Sequence, residues 1–274
     1  MKITKVNNQT FVTDWVEDKL PDVVFPIFED ESVFFAKNLE VKRSDSVLDI
    51  GTGSGVLGIT AALKAKQVTC LDLQDRALQF ARFNAYLNGV EGKIKFVKSD
   101  GLAKINGKFD LILFNPPFNP APKDLPGKIF SHGGTDGTYL IKKVFSKISQ
   151  IAKIGGRIQM ITFSLGRNGK PIVFDLLEKY LSPRKFSVRY THVYPPTEHK
   201  KINYFEKIFG RKFHNWYGKF QAYPEIYYIF MTIDLDTRAT TFQEERLTVR
   251  FKKLKYSASW QARIRRLRNI YRGI

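Results

Sequence analysis

The chain has 274 residues with 43% hydrophobic, 26% charged and 14% aromatic side chains, a composition that excludes wholesale disorder and fibrous or low-complexity architectures. Its 45 Lys and Arg against 26 Asp and Glu leave a formal net charge of +19. Ten basic groups and no acid fall in residues 246–274, so that segment carries +10 and the first 245 residues +9, an excess that points to a polyanionic partner, nucleic acid or an acidic membrane surface.

The chain opens with a 45-residue leader whose first part, Met1 to Glu17, is polar and has no apolar stretch of signal-peptide length. From Ser46 to about Leu235, short apolar β-type runs alternate with helical patterns, the rhythm of a parallel sheet covered by helices. The predicted strands are Val47–Ile50, Val68–Leu73, Ile94–Val97, Leu111–Phe114, Arg157–Phe163, Phe186–Val193 and Ile226–Ile233. Helical patterns fall near Gly55–Lys64, Asp75–Leu87, Tyr139–Ile151 and Ile172–Tyr180. Cys70, the one cysteine, excludes a disulfide framework and a cysteine-built zinc site, and its apolar run predicts a buried, reduced thiol. No apolar run approaches the roughly 18–20 residues of a spanning helix, so the expectation is a soluble, cytoplasmic protein.

Val47-Leu48-Asp49-Ile50-Gly51-Thr52-Gly53-Ser54-Gly55 is a strand running into a glycine-rich turn and then a helix. Glycines are needed where backbone must pass within contact distance of a ligand or take positive φ, and a helix start presents unpaired N–H groups. The string reads as a nucleotide-type loop. Gly53-Ser54-Gly55-Val56-Leu57-Gly58, with Asp72 further on, also satisfies the dinucleotide fingerprint. Asp49 weighs against that alternative: an acid just before the first glycine repels a pyrophosphate but can pair with the ammonium of a bound amino acid. A second station follows at Asn115-Pro116-Pro117-Phe118, at the end of the fourth predicted strand, where open α/β sheets bind substrate. Two prolines fix the backbone there and remove two N–H donors. Asn115 and the Pro116 carbonyl can together accept from a planar NH2 group, and Phe118 is expected to offer a face on which a flat substrate stacks.

The loop Asp49-Ile50-Gly51-Thr52-Gly53-Ser54-Gly55 resembles the cofactor loop of class I S-adenosylmethionine (SAM) methyltransferases, and Asn115-Pro116-Pro117-Phe118 resembles the signature of amino and amide N-methyltransferases. These include adenine-N6 and guanine-N2 nucleic-acid enzymes and the release-factor glutamine methyltransferases. The resemblance covers roughly residues 20–165. It extends to Val24-Phe25-Pro26 followed by Glu29-Asp30-Glu31, similar to the leader that closes over SAM, to Gly133-Gly134-Thr135-Asp136-Gly137-Thr138 before the Tyr139 helix, and to Lys153-Ile154-Gly155-Gly156-Arg157 before the fifth strand. It implies a Rossmann-like, seven-stranded, mostly parallel sheet with helices on both faces. It also implies SAM as cofactor, held by Asp49, Gly51, Thr52, Gly53, Gly55, Asp72 (ribose hydroxyls), Asp100 (adenine amino group) and Asn115, with Asn115, Pro116, Pro117 and Phe118 as the catalytic set. No metal is called for. Asn119 follows the motif where guanine-N2 enzymes favour histidine, Phe118 stands where the glutamine enzymes usually have tyrosine, and the expectation is that these residues carry no separate helical substrate-docking domain of the kind the release-factor enzymes use.

The expected domains are a leader or lid over the cofactor at 1–45, a methyltransferase domain at 46–236 with an aromatic and basic insertion at about 194–224, and a basic C-terminal extension at 237–274. In the insertion, Lys200, Lys201, Lys207, Arg211, Lys212 and Lys219 alternate with Tyr204, Phe205, Phe209, Phe213, Trp216, Tyr217 and Phe220. That interleaving suits RNA, with rings stacking on unpaired bases, or a local aromatic core. In the tail, Trp260, Ile264, Leu267, Tyr271 and Ile274 form one helical stripe opposite an arginine-rich face, fit to dock on the body, contact RNA or lie on a membrane. Of the scattered His132, His192, His199 and His214, only His132 is a candidate pocket residue. The leading expectation is therefore a SAM-dependent N-methyltransferase acting on an exocyclic base amine in RNA, with ribosomal RNA as the expected target. The alternatives are a glutamine amide on a translation or ribosomal protein, a small molecule, and a non-catalytic RNA-binding protein.

Overall fold

Seven apolar runs, several of them buried along their whole length, form the middle of one twisted sheet in the computed structural model, which describes residues 1–15, 18, 20, 22–123, 125, 130–245 and 259–272. In chain order the strands are β1 (Lys2–Val6), β2 (Gln9–Thr13), β3 (Ser46–Ile50), β4 (Gln67–Asp72), β5 (Ile94–Lys98), β6 (Phe109–Phe114), β7 (Ala152–Arg167), β8 (Lys170–Pro171), β9 (Phe186–Glu198), β10 (Glu225–Leu235) and β11 (Thr241–Glu244). The helices are α1 (Phe34–Lys37), α2 (Val56–Ala62), α3 (Asp75–Leu87), α4 (Tyr139–Ile151), α5 (Ile172–Leu181), α6 (Tyr204–Phe209), α7 (His214–Tyr217) and α8 (Trp260–Arg272). Among the described residues the main sheet has nine strands in the order β11-β9-β10-β7-β6-β3-β4-β5, with β8 pairing β7. Neighbours from β7 to β5 run parallel, and β10 is antiparallel to both β7 and β9.

The fold is the Rossmann-like α/β class expected, with all seven predicted strands and four predicted helices present. The sheet is larger by β8 and by β11, which pairs parallel with β9 at the far edge. Helices cover both faces. α4 buries Ile141, Val144, Phe145, Ile148 and Ile151, the i, i+3, i+4, i+7 spacing of an amphipathic helix. Cys70 is buried and free.

The leader is more structured than its polarity suggests. β1 and β2 form a hairpin tied to α3 by two asparagines: Asn84 exchanges hydrogen bonds with the Val12 backbone (2.8 and 3.0 Å) and Asn88 with Thr10 (3.0 and 2.8 Å). Further on, a π-helical turn at Glu29–Val33 leads into α1 and brings Asp30 and Glu31 into the interior. β3 has β4 on one side and β6 on the other, so chain order reverses at β3 and leaves a crevice beyond the carboxyl ends of these strands. Among the described residues no helix is long and apolar enough to cross a membrane.

Candidate active site

The crevice at that switch point is a cavity whose floor is the glycine loop. Gly51 (φ +69°) and Gly53 (φ +54°) take left-handed backbone, and nothing lies within 4 Å of the place where a Cβ would stand, so both leave the backbone open. The loop is fastened to β4: Thr52 N–H donates to the Leu71 carbonyl (2.9 Å) and Gly53 N–H to Asp72 Oδ2 (2.9 Å). Asp49 Oδ2 accepts from Thr52 Oγ1 (2.6 Å) and Gly58 N–H (2.9 Å), which locks the start of α2 to the end of β3. Burial pushes the Asp49 carboxyl up to about 6, against those two hydrogen bonds. Burial also raises Asp72, whose oxygens accept from Gln74 and Gly53 N–H. Asp100 is exposed, ion-paired to Lys143 (2.6 Å), and stands at the cavity rim.

Asp49, Gly51, Thr52, Gly53, Asp72, Asp100 and Asn115 all line this one cavity, with Pro116 and Pro117 at its end. Gly55 does not line it. A Cβ there would come within 2.7 Å of Ile59 and 3.1 Å of Ala81, so this glycine serves close packing of α2 on α3 and the φ of +85° at the helix start, not ligand approach.

Asn115 follows β6 directly. Its Nδ2 donates to Glu31 Oε1 (3.3 Å), while its Oδ1 is buried without a hydrogen-bond partner. The segment after the motif is held by the glycine-rich loop: Asn119 N–H donates to the Ser131 carbonyl (3.2 Å) and Gly133 N–H to the Asn119 carbonyl (2.9 Å). A Cβ on Gly133 would meet the Phe118 backbone at 2.7 Å, and one on Gly137 the Phe118 carbonyl oxygen at 2.5 Å. His132 lines the cavity as expected, its Nδ1 accepting from Gly134 N–H (3.3 Å).

Phe118 departs from expectation. Its ring is only 2% exposed, packed against Tyr228 (centroids 5.7 Å apart) and beneath the Arg263 guanidinium (5.2 Å), so no open stacking face remains. Arg263 comes from α8, 1% exposed, with its guanidinium also over Tyr228 (4.5 Å) and its Nη2 donating to Asn119 Oδ1 (2.5 Å). Arg266, one turn on, makes a two-pronged pair with Asp30 (2.7 and 3.0 Å). Burial works to raise the Asp30 carboxyl, and Arg266 and the Tyr194 hydroxyl outweigh it, leaving Asp30 below the ordinary carboxylate range.

The C-terminal helix is therefore part of the core. Trp260 donates to the Pro195 carbonyl (2.7 Å), and Ile264, Leu267, Ile270 and Tyr271 are buried. The inner face includes Ile270, and Ile274 lies outside the described residues, as do Arg246, Arg250, Lys252, Lys253 and Lys255. The insertion rings stack mainly on one another: Phe205 meets Tyr204, Trp216, Tyr217 and Phe220, and Phe209 meets Tyr271 of α8. They make a local core, with Phe213 and Trp216 partly buried at its edge. Glu31, Arg263 and Arg266 were not among the sequence candidates. Glu31 lies in the Glu29-Asp30-Glu31 segment that carries part of the family resemblance, but nothing in the spacing of the tail arginines marks one of them as interior.

The methyltransferase small domain model matches residues 27–162 of this chain. A protein of Methanocaldococcus jannaschii assigned as a protein N5-glutamine methyltransferase is 36% identical over 152 residues, covering 53% of this chain and 74% of that protein. The chain belongs to the methyltransferase small-domain family. A release factor glutamine methyltransferase of Chlorobaculum tepidum is 42% identical over 92 residues, 31% of each chain. In fold, the chain is similar to the crystal structure of an M. jannaschii tRNA m1G37 methyltransferase, with TM-score 0.55 and 18% identity over 86% of this chain and 57% of that one. As a member of this family the protein is a SAM-dependent methyltransferase. The cavity fits that cofactor: it joins open glycine backbone and buried carboxylates at one end to the unpartnered Asn115 oxygen at the other.

Proposed function

We propose that this methyltransferase acts on the nitrogen of a planar NH2 group, the carboxamide of a glutamine side chain in a protein. The observation that carries the reading is the Asn115 carboxamide: one end is held by Glu31, and the other is a buried oxygen without a partner beside Pro116. Such an oxygen is satisfied when an incoming N–H donates to it. The enclosure of Phe118 favours a slender carboxamide over a base that needs a ring to lie on, and the M. jannaschii relative assigned to glutamine methylation favours it too.

In this reading Gly51, Thr52 and Gly53 lie against the cofactor, Asp72 takes the ribose hydroxyls, Asp100 the adenine amino group and Asp49 the ammonium. Residues 1–45 close over it, with the catalytic core at 46–236. Asp72 has accepting capacity to spare, because each carboxylate oxygen offers two lone pairs. When bound, SAM supplies a methyl group already activated by a sulfonium. What remains for the chain is positioning, where effective molarity contributes about 7–11 kcal/mol. Asn115 and the Pro116 carbonyl would hold the amide N–H groups so that the nitrogen faces the methyl, and both would stabilise positive charge as it develops there until one N–H proton is lost to solvent, leaving the N-methyl amide.

The test is labelled SAM given to separate protein and RNA fractions from cells lacking the gene. Label in protein, recovered as methylglutamine, supports the proposal, and label confined to RNA overturns it. The second reading, an exocyclic base amine in RNA, is favoured by the net charge of +19. If RNA is the acceptor, reversing the exposed Arg265 and Arg268 to glutamate weakens RNA binding and flattens the salt dependence by a slope of about one to two. Filter binding across a salt series measures it.

A pH prediction follows from Asp49. Its carboxyl sits at about 6, so raising the pH through that value places a negative charge in the cavity. SAM affinity is expected to weaken about tenfold between pH 7.5 and pH 5, and Asp49→Asn to remove that dependence. Calorimetry at the two pH values checks it, and equal affinities in the wild type would take Asp49 away from the ammonium.

A further inference from the structure

Glu31 joins the catalytic motif to the C-terminal helix. It is 6% exposed; Oε1 accepts from Asn115, and Oε2 stands 3.9 Å from Arg263 Nη1 and 4.0 Å from Arg266 Nη2. The two arginines are themselves held in place, Arg263 by Asn119 and the Phe118 and Tyr228 rings, and Arg266 by Asp30 and the Phe28 ring (4.3 Å). Asn119 in turn donates to Ser131 Oγ (2.9 Å), which bonds the Tyr271 hydroxyl (3.0 Å), so α8 grips the far side of the motif at two points. Of the arginines, Arg263 spends Nη2 on the neutral Asn119 and has Nε and Nη1 buried without hydrogen-bond partners, so Glu31 is the carboxylate its charge meets, beside the Tyr194, Tyr204 and Tyr228 hydroxyls. α8 lies wholly outside the matched family region, residues 27–162.

We infer that Arg263 and Arg266 are positioning residues acting on Asn115 through Glu31: they keep its carboxylate a pure hydrogen-bond acceptor, which turns the Asn115 NH2 toward Glu31 and leaves the Asn115 oxygen for the acceptor nitrogen. A carboxylate can only accept, so Asn115 has one way to face it. A protonated Glu31 could donate instead, and the amide could then turn over, offering N–H groups to an acceptor that has N–H groups of its own. Burial pushes the Glu31 carboxyl up, Arg266 and Arg263 pull it back, and neighbouring Asp30 pushes it further. The other titratable groups in the same interior are Tyr228 of β10, Tyr194 of β9 and Tyr204 of α6, their hydroxyls all raised by burial. The two guanidiniums are thus the only cations among these described groups opposing protonation of Glu31.

The inference rests on Asn115 as the residue that receives the acceptor, and its test separates the two. In 15N-labelled protein, the Asn115 side-chain NH2 signals, identified by their loss in Asn115→Ser, report the hydrogen bond to Glu31 whatever the acceptor is. Expected is a single pH titration of these signals that disappears in Glu31→Gln, moves up by about one pH unit or more in Arg263→Gln, and stays near the wild-type midpoint in Arg263→Lys. If Arg263→Gln does not fold, Arg266→Gln gives the second readout, recorded below its lowered melting temperature because it gives up the Asp30 pair, and its midpoint is expected to move in the same direction. In turnover, the acid limb of the kcat profile moves with the midpoint while SAM affinity stays fixed. A midpoint unmoved by loss of either cation in a folded protein, or a titration that survives Glu31→Gln, overturns the inference. Failure of the motif reading would show separately, as turnover retained in Asn115→Ala.

Discussion

Asn115→Ala is expected to lower turnover by about 10²–10³-fold or more while changing SAM affinity little, measured by methyl-label transfer and by calorimetry on the same preparation. The reasoning is one of position. The proposed cofactor contacts come from the ends of β3, β4 and β5, and Asn115 contributes its side chain at the end of β6, where the cavity meets Pro116. Removing the carboxamide takes away an acceptor aimed at the reacting nitrogen, so the loss belongs to kcat. Asn115→Asp makes a sharper comparison. It keeps the shape but cannot donate to Glu31, and it places a second carboxylate beside a buried one, so it is expected to lose activity and stability together. Turnover within about tenfold of wild type in Asn115→Ala would remove the assigned role.

How much of this could be read from the chain follows from where the information is local. Strands β3, β4 and β6 are apolar runs bounded by turn residues, so the fold class emerges from spacing, and the glycine loop and Asn-Pro-Pro-Phe are contiguous strings whose family resemblance implies the line of cavity residues. Gly55 shows the limit of motif matching: in sequence it is indistinguishable from Gly51 and Gly53, yet it is required by the approach of Ala81 from α3. Phe118 fails for a related reason. Its exposure is decided by Tyr228 and Arg263, residues 110 and 145 positions away, and no local pattern carries that. Arg263 is the clearest case, since a lone arginine among Arg265, Arg266 and Arg268 reads as one more solvated cation until the chain folds it against Asn119. The hairpin β1–β2 was likewise hidden, because its hold on the body joins two buried apolar residues, Val6 and Phe11, to asparagine side chains of α3 more than 70 positions away.

The same tail supplies the other large effect. The charge count alone predicts that deleting residues 246–274 weakens polyanion binding and reduces its salt slope. Removing residues 260–274 is instead expected to destabilise the whole protein. Truncation uncovers the rings of Phe163, Tyr194, Tyr204 and Phe209, which now pack on Trp260 or Tyr271, and it strips Arg266 from the buried Asp30. Breaking a buried ion pair from one side costs about 3–5 kcal/mol, a large part of the roughly 5–15 kcal/mol that holds a domain together. At about 2–4 °C per kcal/mol for a chain of this size, the pair alone lowers Tm by about 6–20 °C, before the lost apolar contacts are counted. Calorimetry or circular dichroism on the truncated chain measures the fall, and a Tm within about 2 °C of the full chain would show that α8 is an appendage. Changing Arg265 and Arg268 to glutamate leaves the buried side of α8 in place and should leave Tm nearly unchanged, since exposed charges contribute little. The contrast between the two variants divides the role of the tail charge: buried arginines hold the site, and exposed ones are free for a partner.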